Sequence, residues 1–192
     1  MDNKQQVWAK TFLVAYKYLS TLCGAIDKLI DATASNSFYT CGSWSERNAI
    51  MTVSERIIKL SDKKVNYINL KVMVEKILGV MPKKYAKVLI LKYIKGLEKN
   101  EISELMNMSL RSYYRRLKSA IECFALAMKS LGFCVEKLEI RYLDDAFISS
   151  VRESVVRETK FNGEENSSLE EEISIDRYVS MLNRGNLIKV VI

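Results

Sequence analysis

Apolar positions recur at gaps of four and three from the start of the chain: Trp8, Phe12, Ala15, Leu19, Leu22, Ile26 and Leu29. A seam kept for three heptads predicts a helix over residues 4–31 that needs a partner helix, from its own chain or from a second copy. Residues 32–45, ATASNSFYTCGSWS, are small and polar without a period, and predict a loop whose Phe38, Tyr39 and Trp44 pack back onto the helices. A second helix, capped by Ser45, starts at Glu46 with the seam Ile50, Val53, Ile57 and Leu60. The seam breaks at Ser61-Asp62-Lys63-Lys64 and resumes at Tyr67, Leu70, Val74 and Ile77. That slip is either a stutter in one long helix or a break with a new cap, and in both cases the second helix can return antiparallel on the first.

From Met81 the period changes. Pro82 suits a first helical position, Tyr85, Val88, Leu89 and Tyr93 share one face, and Gly96 can end the helix in the left-handed conformation. A short helix from Glu98 places Ile102, Leu105 and Met106 on one side. Asn107 tolerates positive φ and Ser109 can accept from the N–H of Arg111 or Ser112, so a tight turn precedes a helix over Leu110–Leu131 that Gly132 can stop. Its buried side is predicted to be Tyr113, Leu117, Ala120, Ile121, Phe124, Met128 and Leu131. Arg111, Tyr114, Arg115 and Lys118 are left on the solvent side of its N-terminal half. This is the layout of a DNA-reading helix-turn-helix, whose second helix meets base edges with its first residues while flanking cations meet phosphates.

The run LILKYIKGLEKNEISELMNMSLRSYYRRLKSAIECFA, residues 89–125, resembles region four of bacterial RNA polymerase sigma factors. It is more similar still to sigma-region-four-like regulators of phages and mobile elements, of the RinA and ArpU type. The family pattern of a glycine-ended helix, Glu-Ile-Ala, a turn, a serine and an arginine-rich helix stands here as Gly96, Glu101-Ile102-Ser103, Asn107-Met108-Ser109 and Arg111 to Lys118. Ser103 replaces the favoured alanine, Asn107 the glycine and Tyr113 a valine or isoleucine, the last implying a differently packed three-helix core. The resemblance implies a DNA-binding activator that often works with the polymerase. It assigns base-facing and backbone-facing roles to Leu110, Arg111, Ser112, Tyr114, Arg115 and Lys118. The polymerase-gripping, promoter-opening region of a complete sigma factor has no counterpart before residue 80, so the chain is not expected to start transcription unaided.

One proline and seven glycines in 192 residues, with 48% hydrophobic content, favour long helices and an all-α fold. The net charge is +7. Residues 82–131 alone carry 11 cations and 4 anions, which also gives +7, so the charge concentrates on the proposed reading unit. Such a patch attracts polyphosphate, and DNA binding should weaken with salt. The broad apolar stripe and the helix stop at Gly132 fit a packed core better than a lipid-facing edge, so no membrane partner is expected. There is no histidine, and Cys23, Cys41, Cys123 and Cys134 lack Cys-x-x-Cys spacing. These features argue against a metal site or a histidine-activated nucleophile; no enzyme activity and no cofactor are expected. No signal peptide and no bilayer-spanning run are evident, which predicts a soluble cytoplasmic protein.

After Gly132, the partial alternation in FCVEKLEIRYL reads as a strand or an extended link. Asp144–Glu158 is helical, with Phe147, Ile148, Val151 and Val155 on one side. Residues 159–172 are polar and acidic and read as a mobile linker, and the last twenty regain apolar residues able to dock on a partner. The chain therefore divides into an N-terminal helical hairpin (1–80), a helix-turn-helix domain (81–132), a C-terminal extension (133–160) and an acidic linker and tail (161–192). The leading function is a sequence-specific regulator bound to double-stranded DNA, with RNA polymerase a further partner and a homodimer able to address two half-sites. The alternatives are a viral DNA-packaging component of small-terminase type and a protein-interaction adaptor.

Overall fold

In the computed structural model the described residues are 3–38, 46–160, 178–180 and 182. They are all-α, with no strand among them: α1 Asn3–Phe38, α2 Glu46–Val80, α3 Lys83–Leu89 running into a π-helical turn Ile90–Ile94, α4 Lys99–Leu105, α5 Leu110–Ser130, α6 Val135–Tyr142 and α7 Ala146–Lys160. Two compact units result, one made of Met1–Lys17 with Val72–Ser174 and the other of Tyr18–Lys71 with Ile175–Ile192. These groupings cut across divisions at residues 80, 132 and 160, because both long helices contribute to each unit.

In the first unit the start of α1 is a core element. Trp8, Phe12 and Ala15 are fully buried. The rings of Trp8 and Phe12 lie 5.4 Å apart, Phe12 meets the edge of Tyr142 at 5.3 Å, and the Arg152 guanidinium sits 5.1 Å over the Trp8 ring. Aromatic contacts of this size dominate core energetics. Gln5 Nε2 donates to the Phe133 carbonyl at 2.8 Å, and Lys10 pairs with Glu158 of α7. Tyr16 OH donates to Glu75 Oε1 at 2.7 Å. On α7, Phe147, Ile148, Val151 and Val155 are all buried as their spacing predicts, and Asp145 caps the helix by accepting from the N–H groups of Phe147 and Ile148.

The second unit is an antiparallel pair. Lys71 Nζ donates to Ser20 Oγ at 3.0 Å and Lys64 pairs with Asp27 at 2.6 Å, so residue numbers rise on α1 as they fall on α2. Leu19, Leu22, Ile26 and Leu29 face a seam that includes Leu60, Tyr67 and Leu70, all buried. The slip at residues 61–64 is a stutter in one unbroken helix. Tyr178 occupies the gap: it is buried, its hydroxyl lies 2.6 Å from that of Tyr67, and it accepts from Lys63 Nζ at 2.9 Å.

Several expectations are corrected. Residues 32–38, predicted as part of a loop, belong to α1, where the Thr33 hydroxyl donates back to the Leu29 carbonyl at 2.6 Å. The cap at Ser45 and the packing of Tyr39 and Trp44 lie outside the described residues, as do the Phe38 side chain and the acidic segment from Phe161 to Glu172. Ile50 is exposed rather than part of the hairpin seam. FCVEKLEIRYL is neither strand nor link: Val135, Leu138 and Tyr142, three and four apart, are the buried face of α6, while Ile140 is 84% exposed. Leu131 is also exposed: it is the C-cap of α5, one residue past the helix end at Ser130. Leu105 is 60% exposed, and Ser103 takes the second buried position on α4 beside Ile102.

Two measurements check this packing. Ile102→Ala should cost roughly 2–5 kcal/mol in denaturant unfolding, whereas Leu105→Ala should cost well under 1 kcal/mol, since only the first opens a cavity. Burial, reinforced by the Glu75 carboxylate, raises the Tyr16 phenol to about 12. Its stabilising share is full below pH 10 and is lost as pH climbs toward 12, so the absorbance difference between wild type and Tyr16→Phe should titrate near 12 and not near 10.

Candidate nucleic-acid interface

Both α3 and α4 pack on α5. Val88, Leu89 and Tyr93 from α3 and its π-turn, Ile102 from α4, and Tyr113, Leu117, Ala120 and Phe124 from α5 form the three-helix core. Burial raises the Tyr93 phenol above its ordinary range and holds it neutral there.

The turn is set by backbone chemistry. Asn107 has φ 48°, a left-handed value that asparagine tolerates better than most side chains. The Asn107 N–H donates to the Glu104 carbonyl and that of Met108 to Ser103, each at 3.0 Å, which is the double closure of a Schellman C-cap. Gly132, at φ 86°, ends α5 by the same pattern through Phe133 and Met128. At the start of α4 the Glu98 N–H donates to Glu101 Oε2 at 2.8 Å. Ser109 then caps α5, its hydroxyl accepting from the Ser112 N–H at 3.3 Å.

From this anchored start the helical turn projects Leu110, Arg111, Tyr114, Arg115 and Lys118 into solvent, with Ser112 half-buried beside them. Arg111, Arg115 and Lys118 form a ridge along the first two turns. No acidic residue lies in the first turn of α5, so the positive end of the helix dipole adds to the ridge. Arg111 and Arg115 are one turn apart and repel mildly, a cost that a polyanion would remove.

Depressions flank the ridge on both sides. One, of about 530 Å³, is lined by Lys84, Ser109, Ser112, Arg115, Arg116 and Ser119. The other, of about 250 Å³, brings Tyr114, Leu117, Lys118 and Ile121 beside Gln6 and Val7 of α1. Sequence reading missed Lys84, Arg116 and Ser119. The helical period already aligns Ser112, Arg116 and Ser119, but nothing local places Lys84 with them. Cys23, Cys123 and Cys134 are half-buried free thiols, and Cys41 lies outside the described residues. Among the described residues, no cluster of three or more histidine, cysteine or acidic side chains could hold a metal, and no helix is long and apolar enough to cross a membrane.

Residues 71–123 match the family model Sigma-70, region 4. This segment is a sigma region 4-like helix-turn-helix. It starts within the last ten residues of α2, earlier than the sequence reading placed it, and ends inside α5. Comparison with curated proteins and with solved structures returned no match. Sigma region 4 domains bind DNA and RNA polymerase and are a non-enzymatic fold, so the domain points to a DNA-binding, sigma-like regulatory function.

The serines on either side of the turn separate structural from functional roles. Ser103 Oγ is buried with no hydrogen-bond partner, so Ser103→Ala should leave stability unchanged or raise it by up to about 1 kcal/mol. Ser109→Ala removes the α5 cap and should cost roughly 0.5–2 kcal/mol by denaturant unfolding.

Proposed function

We propose that the sigma region 4-like domain reads one duplex sequence through the major groove, as part of a transcriptional regulator. In this reading Arg111 and Arg115 meet base edges, Tyr114 and Leu110 make apolar contacts with bases, and Ser112 and Lys118 meet phosphates. The single observation that carries it is the exposed Arg111–Arg115–Lys118 ridge on a helix start fixed by Ser109 and by the left-handed Asn107. The depression containing Lys84, Arg116 and Ser119 adds hydroxyl and cationic donors beside the ridge, suited to the DNA backbone.

The regulator acts with RNA polymerase, since sigma region 4 domains bind both DNA and polymerase. The likeness of residues 89–125 to RinA- and ArpU-type regulators supports activation of phage or mobile-element genes over repression. The test begins with selection of bound duplexes from a random pool, with and without polymerase. Against the selected duplex, Arg115→Ala should lose roughly 5- to 150-fold in affinity, corresponding to about 1–3 kcal/mol for a base contact. On random duplex the loss should be several-fold smaller. Equal losses on both would reduce the domain to a non-specific DNA binder.

A further inference from the structure

Apart from the seam that faces α1, α2 carries a second apolar stripe. Met51, Ile58 and Val65 stand seven residues apart, and Ile68 follows three residues after Val65; with Ile50 their exposures run from 43% to 59%. A repeat of seven keeps one edge of a helix toward a neighbouring helix under left-handed supercoiling, with Met51, Ile58 and Val65 as one core position and Ile68 as the other. The remaining positions of that second set are Ser54 and Ser61, small enough for a neighbouring helix to come close. Five exposed apolar side chains on about 26 Å of one helix are unusual on a monomer surface.

We propose that a second copy of this chain covers the stripe, pairing α2 with α2 in parallel about a two-fold axis. The area fits such a partner. Five half-exposed side chains present on the order of 500 Å² of apolar surface, so two copies exclude on the order of 1,000 Å² before polar flanks are counted, which is where specific interfaces begin. The stripe is self-complementary, as an isologous contact requires.

Charge selects the direction. In a parallel, in-register pair the flanking positions that face each other are Glu55 with Ile50, Asp62 with Ile57 and Asn69 with Lys64, so no like charges meet. Antiparallel overlap of the same stripe sets Glu55 of each copy against Asp62 of the other along one flank, two carboxylate pairs that repel. Lys64 already pairs with Asp27 of its own chain, so it adds no unpaired cation opposite Asn69, and Glu55 and Asp62 lie at the solvated edge of the stripe with no like charge opposite them.

This interface stands independently of DNA reading and goes beyond it. The test is light scattering on the full chain at about 100 μM, without DNA. Wild type should have about twice the 22.1 kDa chain mass, and Ile58→Asp with Val65→Asp should have the single-chain mass with unchanged helix content. Both positions are exposed within one chain, so the pair should not prevent folding; Ile68→Lys is the second variant and should also give single-chain mass. A monomeric wild type, a closed ring, or a dimer that survives all three substitutions overturns the interface. Val65→Cys should cross-link two copies in the parallel arrangement, and failure to cross-link in a confirmed dimer overturns the parallel pairing. Arg115→Ala should leave the mass unchanged, so a failed dimer and a failed DNA reading give separate signatures.

Discussion

The α5 helix takes its direction from one residue held in a left-handed conformation. Between the buried Ile102 and the buried Tyr113 the chain must leave one helix and enter another at a steep angle, with four residues to do it. Asn107 absorbs the reversal at φ 48°, the Schellman bonds close the last carbonyls of α4, and Ser109 satisfies a first N–H of α5. With both helix ends bonded in this way, Ile102 and Tyr113 enter one core and the arginines that follow leave it. A β-branched residue at 107 would strain the turn, and the angle between α4 and α5 would be the first thing to change.

Charge and packing then divide α5 between them. Its inner face holds Tyr113, Leu117, Ala120, Phe124 and Met128 against the scaffold, which leaves the outer face of the first two turns for cations. Like charges on adjacent turns weaken a helix slightly, and here the cost falls on a segment fixed by a cap and by a large buried face. The aromatic group around Trp8, together with α6 and α7, gives this unit a larger core than a three-helix domain of some fifty residues could supply.

The long regularities were legible in the sequence, and the short exceptions were not. The α1 seam, α7 and the buried Tyr113, Leu117, Ala120, Phe124 and Met128 of α5 follow from gaps of three and four, because burial on one face of a helix enforces that spacing over several turns; Ile121, predicted on the same face, sits at its edge and is only half-buried. Leu105 could not be placed that way, since in a two-turn helix one more apolar residue on the predicted side does not say which pair points inward. In α6 the exposed Ile140 broke the period of Val135, Leu138 and Tyr142 and suggested alternation instead. The last turns of α1 carry only Ala32, Ala34 and Phe38 among small polar residues, with no heptad spacing, so period could not report their helicity. On α2 two apolar sets are interleaved, one facing α1 and one facing outward, and a single-seam reading merged Ile50 into the wrong one. The exposure of Arg111, Tyr114, Arg115 and Lys118 was readable because one helix presents them all; the placement of Lys84 beside Arg115 and Arg116 depends on how α3 meets α5 and has no local signature.

The central claim is that the Arg111–Lys118 face is what meets DNA. Amide chemical-shift mapping during titration with the selected duplex tests it most directly. The account predicts that the largest shifts fall on residues 109–119, with Lys84 next and only small changes in α6 and α7. Shifts centred on α6, α7 or the α1–α2 pair, with 109–119 unmoved, would contradict it.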